Sequence, residues 1–397
     1  MGKTIAFFEE PTDFSLVQGG PLFQLLLRMR LQKPPTDLVG RRVIVILLIA
    51  WMPLLLFSIL SVHAFRGVAV PFLYDLGAQA RLLLSVPLLL VASVIVHGRI
   101  KLVVGQFLDR GIIAREDQPR FENIIASAMR LRNSVVAEVL LLALAIFVGY
   151  WAGKRYLAMH VATWFAAPVG DHIHLTAAGY WYVIVSLTIY RFLIVRWCFR
   201  LFIWYRFLWQ VSRQVRLRLN ALHPDRAGGL GFLSGSMFAF APILLAHTIA
   251  LSGIIGGKIW YEGATLPEFK LEIVAWMVLL VLLVLAPLFF FMTHLAEARR
   301  TGLREYGMVA SRYVAEFRRK WIEGHVGEGE ALIGSGDIQS LADLSNSFDV
   351  VREMGLVPFG RVMVLRLVIL TAVPLLPLTL TMIPLEQLID RAMGVFF

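Results

Sequence analysis

Long apolar runs separated by basic segments set the pattern of this chain. A helix needs roughly 20 apolar residues to cross a hydrocarbon layer about 30 Å thick. Seven runs approach or reach that length, and the second and third are short enough that we expect their helices to continue into polar flanks. The predicted spans are Val43–His63, Leu82–Val96, Val135–Trp151, Tyr180–Phe202, Phe232–Ile255, Ile273–Met292 and Val362–Ile383. This pattern predicts an all-α integral membrane protein, a bundle of about seven transmembrane helices.

Prolines interrupt five of these spans. They are Pro53, Pro87, Pro242, Pro287 and, in the last span, Pro374 and Pro377. Each proline removes a backbone hydrogen bond, so we expect several kinked helices and a broken last span. A broken last span leaves two alternatives open, a full crossing or a re-entrant loop.

The spans divide the chain into four parts. Residues 1–40 form an N-terminal segment whose Pro21–Leu31 stretch predicts a short amphipathic helix in the membrane interface. Residues 41–297 hold six spans, and residues 361–397 hold the last one. Between them, residues 298–360 predict a helical insertion with one helix at Leu303–Trp321 and another at Asp337–Met354.

Composition and charge agree with a membrane protein. Of all residues, 58% are hydrophobic and 16% charged, which excludes an ordinary soluble domain. The net charge of +11 could indicate nucleic acid as a partner, but the positions of the charges argue against it. Thirty of the 38 Lys and Arg residues fall on one side of the predicted topology. By the positive-inside rule that side is cytoplasmic, together with the N-terminus, and it faces anionic lipids.

The most distinctive string, HPDRAGGLGFL, joins the fourth and fifth predicted spans. Backbone amides before a helix N-terminus can bind an anion. One interpretation is therefore an anion-binding loop built from His223, Asp225, Arg226, Gly228 and Gly229. The other is a tight turn in which Asp225 and Arg226 pair with neighbours.

Three stretches give the second half a family resemblance. They are RWCFRLFIWYRFLWQVSR from Arg196, the HPDRAGGLGFL loop, and FDVVREMGLVPFG with the closing PLLPLTLTMIPLEQLIDR. Together they resemble an uncharacterised family of bacterial inner-membrane proteins. The resemblance implies a multi-pass protein of the bacterial inner membrane and carries over no activity or functional residue.

Two ionisable residues fall near the middle of predicted spans, Arg191 in the fourth and His247 in the fifth. Charged groups at that depth are expected to face protein or water, so the two could form an intramembrane polar centre. The alternative is that each bonds to backbone or hydroxyl groups. His247 also flanks a stripe of small residues that predicts close helix packing. The stripe is Gly235, Ala239, Ala246, Ala250, Gly253 and Gly257.

One outer segment carries weak metal-binding candidates, namely His160, Asp171, His172 and His174. Nothing in this segment predicts a strand, and on a helix His172 and His174 would point in different directions. We therefore predict no metal site and no cofactor.

Function is less constrained than topology. The leading hypothesis is a channel or transporter-like protein with a polar centre at Arg191 and His247 and an anion-favouring basic cytoplasmic face. The second is a non-transporting scaffold or sensor whose cytoplasmic helices bind a partner or each other in a homo-oligomer. The third is a membrane enzyme acting on a lipid phosphate. No paired carboxylates and no serine–histidine set indicate catalysis, so we favour a non-enzymatic function and predict no catalytic residue.

Overall fold

The computed structural model describes residues 14–29, 38–156, 163–169, 172–327 and 331–382, and this part is mostly helical. Short 3₁₀ and π stretches within a continuous helix are counted with it. The helices are α1 (Pro21–Arg28), α2 (Val39–Leu60), α3 (Leu76–Asp109), α4 (Arg115–Arg132), α5 (Val135–Tyr156), α6 (Ala177–Gln214), α7 (Leu230–Glu262), α8 (Leu266–Ile322), α9 (Gly336–Arg352) and α10 (Arg361–Met382).

Six of the described helices are long and apolar enough to cross a membrane: α2, α3, α6, α7, α8 and α10. Helices α4 and α5 pass the same test together and are bent by 48° at their junction. Counting that pair as one span gives up to seven. The prediction of a helical protein with about seven membrane-length apolar segments agrees with this architecture.

Two helices extend well beyond their apolar runs. Helix α3 has 34 residues where the sequence shows a short run, as expected from its helix-compatible flanks. Helix α8 has 57 residues and joins the sixth predicted span to the first helix of the insertion without a break. Pro287 does not end α8, because it lies in the first turn of a 3₁₀ stretch, Ala286–Phe291, where the missing N–H costs little.

The expectation that the outer segment forms no strand is wrong. Two short antiparallel strands, β1 (Ala166–Val169) and β2 (His172–Leu175), form a hairpin before α6. Thr176 then caps α6 by accepting a hydrogen bond from the Gly179 amide. A strand of four residues is too short to give a periodicity that a sequence pattern can distinguish from a loop.

The connections meet at two opposite ends of the bundle. At one end, the amide of Arg218 donates to the carbonyl of Ile112, so the α6–α7 connection pairs with the α3–α4 connection. We call this the basic end. At the other end, the amide of Trp164 donates to the carbonyl of Val70. Segments predicted to share a side of the membrane therefore contact each other.

Helices α3 and α7 form the centre of the bundle, with half or more of their most apolar windows buried. Part of the small-residue stripe of α7 lies at their contact. A Cβ atom added to Gly253 would lie 2.5 Å from the Cβ of Ala80 and 2.7 Å from the carbonyl oxygen of Leu76. Gly235 and Gly257 would meet nothing within 4 Å. The close packing predicted from the stripe is thus concentrated at its middle.

Candidate functional site

The N-terminal segment Phe14–Gly20 lies inside the basic end of the bundle without helical or strand structure. Phe14 and Leu16 are each 1% exposed, and the ring of Phe14 lies 4.8 Å from that of Phe207 in α6. Irregular backbone is seldom buried, because its polar groups then need partners from elsewhere in the protein.

Two charged side chains supply those partners. Arg132, the last residue of α4, donates from Nη1 to the carbonyl oxygen of Ser15 over 2.6 Å. Glu138, in the first turn of α5, accepts the amide of Leu22 at Oε2 over 2.7 Å. The break between α4 and α5 places both side chains beside the same segment. Arg132 also donates twice to the side-chain oxygen of Asn133.

Helix α6 adds two more arginines. Arg196 and Arg200 are four positions apart, so they share a face of the helix. Arg196 pairs through Nη2 with Oε1 of Glu138 at 2.9 Å. Arg200 is 7% exposed and its guanidinium carbon lies 4.5 Å from the centre of the Trp197 ring. Within the described part of the chain, Arg200 donates no hydrogen bond.

We call Arg132, Glu138, Arg196 and Arg200 the arginine site. It holds three guanidinium groups and one carboxylate, which leaves an excess of two positive charges among these residues. Arg42 of α2, which is 5% exposed and has contacts of its own, lies within electrostatic range of Arg200. Removing a charge from water costs several kcal/mol unless an opposite charge is supplied. The site therefore has the electrostatic character of an anion site.

A small cavity lies at the centre of the arginine site. Its volume of about 10 Å³ is enough for one water molecule. The three arginines, Glu138, and Leu16, Val17 and Gly19 of the N-terminal segment are among its lining residues. In this conformation the cavity is too small for a polyatomic anion.

The sequence contained part of this site. Glu138 is the only carboxylate well inside a predicted span, and the four-residue spacing of Arg196 and Arg200 is visible in the sequence. Together with Arg191 these arginines are spaced by five and four residues, which excludes the three-residue repeat of a voltage sensor. A single carboxylate one helix away from an i, i+4 arginine pair is the signal that could have indicated the site. The burial of residues 14–20 has no such signal, because a seven-residue segment without periodicity does not predict a partner.

The two residues of the predicted polar centre lie at different helix contacts. A Cβ atom added to Gly149 of α5 would lie 2.5 Å from Nη1 of Arg191, so that glycine makes room for the guanidinium. His247 donates from Nδ1 to the carbonyl of Ile243 over 2.8 Å, and its ring lies 6.4 Å from that of Trp276 in α8. None of these partners is shared. For His247, the geometry matches the alternative of a bond to backbone.

In the HPDRAGGLGFL loop, the backbone amides bind an anion that belongs to the chain itself. The Asp225 carboxylate accepts from the amides of Ala227, Gly229 and Gly231 at 2.8, 3.1 and 2.8 Å. Nδ1 of His223 lies 2.9 Å from the same carboxylate. An external anion would have to displace Asp225, so the geometry favours the tight turn of the two interpretations.

The electrostatics of the loop follow from these contacts. Partial burial raises the pKa of the Asp225 carboxyl, but the three amide donors and His223 lower it by more, so the net pKa lies below the ordinary value. Gly228 and Gly229 have φ of +63° and +96°, a region that residues with a side chain rarely adopt.

The same loop docks the end of α9. Arg226 pairs with Glu353 at 2.6 Å, and the carbonyl of Arg226 accepts the amide of Gly355 at 2.7 Å. The HPDRAGGLGFL and FDVVREMGLVPFG stretches, far apart in sequence, are therefore in contact. Residues His223, Asp225 and Arg226 all have partners within this junction.

No family model, no curated protein and no solved structure matches the chain. The resemblance to an uncharacterised inner-membrane family stays a prediction.

The metal candidates divide between described and undescribed residues. His160 and Asp171 lie outside the described residues. His172 and His174 belong to β2, and His174 is exposed. Among the residues that the structure describes, no group of three or more His, Cys, Asp or Glu side chains could hold a metal ion.

A larger groove of about 400 Å³ opens between α4 and α6. Its lining is Arg120, Asn123, Ile124, Ser127, Gln210 and Gln214. The only charged lining residue, Arg120, pairs with Asp117 at 3.0 Å, so the groove lacks the excess positive charge of the arginine site.

The end of α8 and helix α9 form a hairpin outside the bundle. The hydroxyl of Tyr313 donates to the carbonyl of Asp337, and the indole of Trp321 donates to its carboxylate. The side chain of Phe348 lies beside Gly307. The helix predicted at Leu303–Trp321 thus packs against the second predicted helix of the insertion.

Proposed function

We propose that this protein is a channel or transporter-like protein of the bacterial inner membrane that binds an anion at the arginine site. The single observation that carries the proposal is the charge imbalance of that site, where two buried arginines, Arg132 and Arg200, and the partly buried Arg196 face one carboxylate. The basic end, where the site lies, faces the cytoplasm under the proposed orientation. There it also meets anionic lipid headgroups.

The position of Arg200 supports the proposal most directly. Buried arginines in proteins are normally paired with carboxylates or donate several hydrogen bonds to other acceptors. Among the described residues, Arg200 stacks on the face of Trp197 without donating a hydrogen bond, and it lines the cavity. A guanidinium presents up to five N–H donors in a fixed plane, which suits the oxygens of phosphate, sulfate or a carboxylate.

The contacts of the other candidate regions favour this function over the alternatives. A scaffold or sensor would use the α8–α9 hairpin, whose two helices pack against each other within the chain. An enzyme acting on a lipid phosphate would use the loop, where Asp225 occupies the amides and Arg226 pairs with Glu353. In each of these regions the groups that would bind are already engaged, whereas Arg200 of the arginine site donates no hydrogen bond within the described part of the chain.

Thermal melting of the purified protein in detergent tests the proposal. Sodium phosphate or sulfate is added at constant ionic strength to a buffer whose other anion is gluconate. A bound anion stabilises by about 2.7 kcal/mol at one hundred times its dissociation constant. We expect the wild type to melt at a higher temperature with the anion, and Arg200→Met to show no such rise. Because Met removes an unpaired buried charge, the variant should melt no lower than the wild type without the anion.

Two matched variants separate this site from other sources of the effect. Arg206 lies on the same helix and donates a hydrogen bond to Ser127, but it does not line the cavity. Arg206→Met should therefore keep the stabilisation by phosphate. Arg226→Gln should also keep the stabilisation by phosphate. If this variant lost it, the anion would bind at the HPDRAGGLGFL loop and not at the arginine site. Equal melting of the wild type with and without both anions would contradict the proposed function.

A further inference from the structure

We propose that Phe14–Gln18 is a displaceable strap over the arginine site, hinged at Gly19 and Gly20, and that a phosphate-sized oxyanion binds once the strap has moved out. The inference rests on the proposed function, since it assigns a gate to the same site. It also gives the ligand class, a small oxyanion held by Arg132 and Arg200.

The size of the cavity requires a moving part. With space for one water molecule, the site cannot hold an oxyanion together with the residues that now line it. Most of those residues belong to α5 and α6, which pack along their length against each other. Leu16, Val17 and Gly19 are the lining residues that lie on irregular backbone. Moving the strap breaks no helix and exposes buried side chains, among them Phe14 and Leu16.

One of the contacts that hold the strap can be exchanged for an anion. Arg132 donates to the carbonyl of Ser15, a neutral acceptor, over 2.6 Å. An oxyanion would offer the same guanidinium a charged acceptor, and charged hydrogen bonds are the stronger kind. Arg200 would gain an acceptor that the strap does not supply. The ligand therefore competes with the strap for Arg132.

The two glycines provide the hinge. Gly19 and Gly20 have φ of +144° and +89°. A Cβ atom added to Gly19 would lie 2.3 Å from Nη2 of Arg132, so a side chain at this position would have to displace that guanidinium. Directly after the hinge, the amide of Leu22 is fixed by Glu138. The strap can thus move while α1 stays docked.

Cysteine reactivity in the full-length protein tests the strap. Leu16→Cys is made in a Cys198→Ser background and treated with a maleimide, with and without inorganic phosphate. Leu16 is 1% exposed, so labelling without phosphate should be slow. Saturating phosphate should shift the population to the open strap and speed labelling by about tenfold or more. Ile333→Cys, at a position 93% exposed, should label quickly under both conditions.

The outcomes separate the strap from the proposed function. If phosphate raises the melting temperature and leaves labelling at position 16 unchanged, the proposal that the strap moves is wrong, and the anion site is supported. If phosphate changes neither, both are overturned. Val17→Cys, at a second cavity-lining position, repeats the measurement where Leu16→Cys does not fold. Adding Arg200→Met should abolish the acceleration, and acceleration that persists in that variant would contradict the competition between strap and ligand.

Discussion

At the scale of single residues, the side chain that organises the HPDRAGGLGFL loop is a carboxylate. Asp225 accepts three backbone amides that would otherwise lack partners at the start of α7. The sequence showed the glycines and the possibility of an anion at this position. It could not show that the anion is the carboxylate of Asp225, which precedes the three amides by two to six residues. That outcome depends on how tightly the backbone folds back on itself.

Removing this carboxylate should destabilise the protein. Hydrogen bonds to charged groups contribute about 1.5–3 kcal/mol each, with part of that recovered by water, so we expect Asp225→Ala to cost about 3 kcal/mol in unfolding free energy. The control is Arg226→Gln, which breaks a half-exposed pair and should cost about 0–1 kcal/mol. Melting temperatures in detergent measure both. If the two variants melt alike, the carboxylate does not organise the turn.

The pH dependence of that difference has a definite sign. Because the folded-state pKa of Asp225 lies below its ordinary value, its contribution is fully present above the ordinary pKa of about 3.9. The contribution is lost as the pH falls through the folded-state pKa. Melting of the wild type and of Asp225→Ala should therefore converge as the solution is made more acidic, and not as it is made more alkaline.

At the scale of elements, hydrophobic runs predicted the existence of helices better than their ends. Each predicted span corresponds to a described helix, because an apolar run of that length leaves few alternatives in lipid. The ends differ because polar residues continue a helix when nothing stops it, as where α8 runs through position 297. The β1–β2 hairpin was missed because four-residue strands carry too little periodicity.

The contact between α3 and α7 makes an element-scale prediction. In Gly253→Leu, the Cβ of the new side chain would lie 2.7 Å from the carbonyl oxygen of Leu76 in α3. Helices α3 and α7 would therefore have to separate. Overpacking typically costs 1–3 kcal/mol, and we expect about 3 kcal/mol here because backbone is in the way. Gly257→Leu is the control one turn along α7, where nothing lies within 4 Å.

Melting of the two leucine variants in detergent provides the measurement. Gly253→Leu should unfold at a clearly lower temperature than the wild type, while Gly257→Leu should unfold within a degree or two of it. A Gly253→Leu protein as stable as the Gly257→Leu protein would mean that α3 and α7 do not approach each other at this point.

At the scale of the whole molecule, the sequence predicted which connections share an end of the bundle. The alternation of spans places residues 98–132 and 196–233 on one side, and in the structure their connections pair through Arg218 and Ile112. Sequence reasoning did not predict the arginine site. Its four residues come from three helices that meet only in the folded bundle, and its charge imbalance appears only when their burial is known.

The side of the membrane that each end faces remains a prediction from charge, and cysteine labelling tests it. His174 is exposed at the end with the hairpin, and Ile333 is 93% exposed between α8 and α9. Single cysteines at these positions are made in a Cys198→Ser background, because Cys198 is itself exposed. An impermeant maleimide added to intact bacterial cells should label His174→Cys only, and permeabilised cells should show both labelled.

The reason is the distribution of charge, with thirty of 38 Lys and Arg residues on the predicted inner side, since short basic segments resist translocation. Labelling of Ile333→Cys in intact cells would invert the map and place the arginine site at the outer face, where its anion would come from outside the cell.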